Sequence, residues 1–121
     1  MTFNQEDAWQ YLVLWEFLVR AGMEKEFENV YGPEGEWAQC FRRGQGYFGT
    51  ELSRDLTNPQ RYVTIDFWRS QAAYEAFKLQ HAAAYTAIDK KCEQFMVSER
   101  ELGRFERVGL STEIRELKTG N

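Results

Sequence analysis

The sequence predicts an α+β domain whose four-stranded antiparallel sheet carries helices on one side. Three observations lead there. Segments near residues 11–20, 47–55 and 61–68 alternate with the period of a strand. Helical spacing separates the first from the second and follows the third. A link with turn chemistry, Leu56-Thr57-Asn58-Pro59, joins the middle two as a hairpin. The 121 residues leave room for one domain, 1–121, with a core over about 10–108 and an exposed C-terminal arm over 109–121.

Strand one, Tyr11 to Arg20, is apolar on both sides: Tyr11, Val13, Trp15, Phe17 and Val19 on one, Leu12, Leu14 and Leu18 on the other. Such a strand needs cover on both faces. Met23 to Tyr31 has helical spacing and ends at Gly32-Pro33, and a short helix follows over Glu36 to Arg43. Tyr47 to Asp55 and Arg61 to Trp68 are strands two and three. Ser70 is a candidate N-cap for a helix carrying Ala73, Tyr74 and Phe77, and a second helical run extends from His81 to Met96. Glu101 to Val108 completes the order as a weaker fourth strand. The result is β-α-β-β-α-β, a ferredoxin-like arrangement. Helices on one face leave the other apolar and bare, so the expected partner is a second copy of the chain, packed sheet to sheet as a homodimer.

Composition narrows the partners further. Apolar residues make up 43% and aromatics 16%, which suits a packed core or an aromatic pocket. The net charge is −4, and the only basic doublets, Arg42-Arg43 and Lys90-Lys91, lie among acidic residues, so no nucleic acid is expected. No stretch is long and apolar enough to span a membrane, and Met1 to Asp7 lacks the pattern of a signal peptide. Cys40 and Cys92 fall among apolar neighbours and read as buried free thiols, which places the expected location in the cytoplasm.

The segments FENVYGPEGEWAQCFRR (27–43), GYFGTEL (46–52), RYVTIDFW (61–68), AYEAF (73–77) and ERELGRF (99–105) resemble the antibiotic-biosynthesis-monooxygenase domains. The resemblance implies a dimeric α+β barrel. It also implies a cofactor-independent monooxygenase acting on a small aromatic or polyketide-like phenol, quinol or anthrone. The alternative is a non-enzymatic ligand-binding or structural homodimer of the same fold. In anthrone-oxidising members a Trp at the end of the third strand and a Tyr six residues later help line the pocket, and Trp68 and Tyr74 keep that spacing. Those members carry Asn four residues before the Trp, where this chain has Thr64, a hydroxyl without the paired donor and acceptor of an amide. Haem-degrading members need an Asn, a Trp and a His at positions that align with Trp15, Phe77 and the neighbourhood of Ala87, and none matches. On the monooxygenase reading Thr64 and Tyr74 hold the substrate oxygen, Trp68, Trp15 and Phe77 wall the pocket, and His81 accepts the proton.

Other signals carry two readings. Gly44 to Gly49 spells G-x-G-x-x-G, but it follows a helix and opens a strand, the reverse of the dinucleotide context, so its glycines read as turn residues. His81, the single histidine, is either a helix-junction residue or a proton acceptor at the pocket mouth. One histidine and two distant cysteines build no metal cluster, and no cofactor is expected. Asp66, on a sheet face, is either paired, with Arg20 or a partner's arginine, or catalytic. Periodicity sends Val63, Ile65 and Phe67 to the core, whereas the resemblance sends Thr64 and Trp68 there; a bulge in the strand would reconcile the two.

Overall fold

The computed structural model describes residues 8–111. Strand β1 (Tyr11–Val19) leads into helices α1 (Glu24–Tyr31) and α2 (Glu36–Phe41), then the hairpin β2 (Tyr47–Arg54) and β3 (Arg61–Trp68). Helices α3 (Gln71–Gln80) and α4 (Ala82–Cys92), a 3-10 turn (Glu93–Phe95) and strand β4 (Met96–Glu106) follow. The four-stranded sheet runs β2-β3-β1-β4, and each neighbouring pair is antiparallel. This is the ferredoxin-like order. The Ser70 hydroxyl caps α3 by accepting from the Ala73 amide at 3.1 Å, as its position in the sequence predicts.

The last crossover differs from the sequence expectation. The helical run predicted to reach Met96 stops at Cys92, and β4 begins at Met96, five residues before the predicted Glu101. The reason lies in the pairing with β1. Leu14 sits opposite Gly103 and Trp15 opposite Glu101, which leaves Leu102 as an extra residue. Leu18 sits opposite Ser98 and Val19 opposite Met96, which leaves Val97. Two bulges break the alternation that would have revealed the strand. The predicted C-terminal arm is described only as far as Ser111, and the rest of it lies outside the described residues.

The conflict over β3 resolves without any bulge in that strand. Tyr62, Thr64, Asp66 and Trp68 are buried under the helices, while Val63, Ile65 and Phe67 are half-buried on the opposite face. Periodicity therefore misassigned the core face. Tyr11 pairs with Trp68, Val13 with Asp66, Trp15 with Thr64 and Phe17 with Tyr62, so the register with β1 fixes the choice. The helix-side layer is aromatic. Phe27 stacks on Tyr31 at 4.3 Å between ring centres and meets Phe17 at 5.3 Å and Tyr62 at 4.8 Å. The other face collects Leu12, Leu14 and Leu18 with Val63, Ile65 and Phe67, plus Phe105, which is 49% exposed. Glu16 on that face is held between Arg61 at 2.7 Å and Arg100 at 2.9 Å, and these bonds keep its carboxyl below the usual range.

The glycine-rich segment connects α2 to β2, as expected for a turn. Gly46 has φ +92°, an added Cβ would lie 2.9 Å from the Ala73 Cβ, and its carbonyl accepts from the Arg69 amide at 2.6 Å. Gly22 shares φ +92° but has open space around its Cβ position. Gly22→Ala should cost about 1 kcal/mol from backbone strain alone, and Gly46→Ala about 2 kcal/mol or more because the clash is added. Urea unfolding of the two variants beside the parent checks this.

Candidate functional site

Between the sheet and the helices lies a pocket that opens to solvent on one side. Its floor is Trp15 and Phe17 of β1, Thr50 of β2, Thr64 and Asp66 of β3, and Glu99 of β4. Its roof is Tyr31 of α1, Trp37 and Phe41 of α2, and Tyr85 and Asp89 of α4. The register explains the floor. Trp15 is opposite Thr64, Thr50 opposite Asp66 and Phe17 opposite Glu99, so strand alternation turns all six toward the helices. The roof is braced by its own ring contacts: Trp37 meets Tyr85 edge-on at 5.0 Å and Phe41 at 5.6 Å. The aromatic walls suit a planar organic molecule.

Asp66 is the unusual member of this floor. It is only 7% exposed, and its Oδ1 accepts a hydrogen bond from the Thr50 hydroxyl at 2.8 Å. The Thr50 oxygen in turn lies 2.5 Å from the Tyr47 hydroxyl. Since Thr50 gives its proton to Asp66, the Tyr47 phenol is the donor in that second bond. The pairing with Arg20 expected from the sequence is not found: among the described residues no lysine, arginine or histidine bonds Asp66, and Arg20 is exposed. Burial pushes the Asp66 carboxyl up to about 7, and the Thr50 bond opposes the rise only in part. Asp89 and Glu99 are also raised, each chiefly by burial, and burial lifts the Tyr85 phenol to about 12.

The residues singled out in the sequence divide into two groups. Trp15 and Thr64 reach the cavity. Trp68, Tyr74 and Phe77 are packed behind it and do not line it. The Trp68 ring lies 5.5 Å from Tyr74 and 5.4 Å from Phe77, so the six-residue spacing brings the rings into contact with each other. His81 forms the joint between α3 and α4: its amide donates to the Phe77 carbonyl at 2.9 Å and its carbonyl accepts from the Tyr85 amide at 3.0 Å. The ring sits half-buried, 5.4 Å from that of Phe77, off the cavity wall. Sequence reasoning missed Tyr85, Asp89 and Glu99. The four-residue step from Tyr85 to Asp89 puts both on one helical face and could have found the first two. Glu99 falls in the bulged part of β4, where no such signal exists.

Comparison with known proteins bears on this arrangement. Residues 10–88 match the antibiotic biosynthesis monooxygenase family. The chain belongs to that family. No curated protein matches it significantly. Among solved structures, a variant of SnoaB, a cofactor-independent oxygenase from Streptomyces nogalater, is similar with a TM-score of 0.68 and 23% identity over 88% of this chain and 100% of that one. A variant of MhuD with two manganese protoporphyrin IX molecules per active site gives 0.65 and 23% over 84% and 97%. The PA3566 protein from Pseudomonas aeruginosa gives 0.63 and 14% over 84% and 97%. At these identities the likeness is one of fold. Among the described residues of this antibiotic biosynthesis monooxygenase domain, no helix is long and apolar enough to cross a membrane and no group of metal-ligating side chains converges.

The buried carboxyl has a cost that depends on pH. Its folded pKa of about 7 exceeds the ordinary value of 3.8, so between those limits the native protein keeps a proton that the unfolded chain has released. The contribution of Asp66 to stability therefore falls as pH rises from about 4 to 7 and is level above that. Asp66→Asn carries no charge to desolvate. It should match the parent near pH 4 and exceed it at pH 8 by on the order of 2–4 kcal/mol, measured by denaturant unfolding at both pH values.

Proposed function

We propose that this protein is a cofactor-independent monooxygenase of small phenols, quinols or anthrones, and that it works as a homodimer joined through the open face of its sheet. The observation that carries the reaction is the aromatic-walled cavity of a monooxygenase-family fold with a hydroxyl and a carboxyl on its floor. In this chemistry the substrate supplies the electrons. Oxidation of a ring methylene to a carbonyl by one O2 places one oxygen atom in the product and releases the other as water, a four-electron change that balances without a further reductant. The protein binds the ring, orients its oxygen, assists loss of a proton and keeps bulk water out.

Trp15 walls the substrate ring, and the Thr64 hydroxyl donates to its oxygen. Trp68, Tyr74 and Phe77 act from behind as positioning residues that hold the floor and roof at a fixed spacing. SnoaB, described as a cofactor-independent oxygenase, supports the reading. The porphyrin bound by the MhuD variant does not carry over, because the chain's single histidine lies off the cavity wall. The homodimer rests on the two-sided apolar character of β1. Leu12, Leu14 and Leu18 share a face with Val63, Ile65 and Phe67, an apolar surface that a second copy would cover.

Oxygen uptake with a panel of anthrones and quinols should exceed the uncatalysed rate and consume one O2 per substrate oxidised. Thr64→Val should lower kcat/KM about tenfold or more with little change in melting temperature. Ligand binding without oxygen uptake would instead mark a binding protein of this fold. Light scattering coupled to gel filtration should give twice the chain mass at micromolar concentration. Leu14→Asp should yield monomer with an unchanged far-UV circular dichroism spectrum.

A further inference from the structure

We propose that Asp66 is the proton acceptor of this site: its carboxylate takes the hydroxyl proton of a neutral aromatic substrate lying on the floor beside Thr64. The inference rests on the monooxygenase reading and names the base which that reading needs. Thr64 and Asp66 are two residues apart on one face of β3, about 6–7 Å along the strand. A substrate whose oxygen meets Thr64 therefore spans a floor that ends at the carboxylate. The Tyr47–Thr50 chain of hydroxyls fixes Oδ1, and among the described residues no protein donor meets the other oxygen. His81, the acceptor expected from the sequence, faces none of this space.

The surroundings favour such a base. Across the cavity from Asp66 are Tyr31 from α1 and Tyr85 and Asp89 from α4; Glu99 of β4 shares its floor, Thr50 and Tyr47 stand beside it on β2, and Tyr74 of α3 feels its charge. None of these is a cation, so a proton carrier that added a second negative charge would be opposed by Asp89 and Glu99. Transfer to Asp66 adds none. The substrate O–H bond breaks, a carboxyl O–H bond forms, and the electron pair stays on the substrate oxygen. The negative charge moves from a localised carboxylate buried among aromatic side chains to a ring system that delocalises it, which relieves the desolvation that burial imposes. Burial thereby gives a carboxylate the basicity that proton abstraction near neutral pH requires.

The test uses two probes. With 1,8-dihydroxyanthrone and oxygen-uptake kinetics, parent kcat should rise through an apparent pKa near 7. Asp66→Asn should lower kcat on the order of 100-fold, remove that rise and leave KM within about threefold. Thr50→Val, which deletes the bond to the carboxylate and spares the acceptor, should shift the profile to higher pH without abolishing turnover. The second probe is 7-hydroxycoumarin, a phenol whose neutral and ionised forms absorb at different wavelengths. Bound at neutral pH, it should be ionised in the parent and neutral in Asp66→Asn. Asp66→Asn turnover within about threefold of the parent with the same pH profile would overturn the proposal. If the parent oxidises no anthrone or quinol, the monooxygenase reading fails by itself, and Asp66 is then judged on the coumarin. A difference in ionisation between parent and variant upholds it as acceptor, and identical spectra overturn it.

Discussion

The pairing of β1 with β3 is the constraint on which the rest of the structure depends. One register sets Tyr11 against Trp68, Val13 against Asp66, Trp15 against Thr64 and Phe17 against Tyr62. Shifted by one residue, it would bring Val63, Ile65 and Phe67 under the helices and expose Trp68 to the far side. The helical layer could not accept that exchange. Phe27, Tyr31, Phe41 and Phe77 are spaced to meet large flat rings, and short aliphatic side chains would leave voids among them.

The same register obliges the fold to bury two polar side chains, Thr64 and Asp66, at the middle of its core. Their cost is moderated by the cavity above them and by the hydroxyl chain through Thr50. It is not removed, since among the described residues no cation bonds the carboxyl. Aromatic rings packed against one another hold both layers apart around this point, so the space does not collapse onto the polar groups. A stretch of core that tolerates an uncompensated carboxyl is spending stability on chemistry or on recognition.

How much of this was legible follows from the kinds of signal involved. The strands β1, β2 and β3, the first helix, the cap at Ser70 and the element order all follow from local patterns that survive in isolation. The face of β3 did not, because alternation says only that two faces exist, and on this strand the more apolar one is not the core. The family resemblance carried the correct face where periodicity failed. Trp15 and Thr64 were recognised as residues that reach the cavity, whereas Trp68 and Tyr74 meet each other, since their spacing encodes contact as readily as it encodes a shared wall. Asp66 draws notice as a carboxylate on a strand, but that no cation among the described residues bonds it is a fact of three-dimensional neighbours and has no mark in the chain.

The bulges at the rims of the sheet have a consequence for how the protein can associate. Phe48 interrupts the ladder of β2, and Val97 and Leu102 interrupt that of β4, so both outer strands lose regular spacing of their free amides and carbonyls. A flat, evenly spaced rim is a template on which another chain can add a strand and on which fibres grow. Here each rim is kinked within a few residues, and an incoming strand would fall out of step with it. The rims are thereby poor templates for open-ended stacking, whereas the proposed pairing through the broad apolar face would close after two copies.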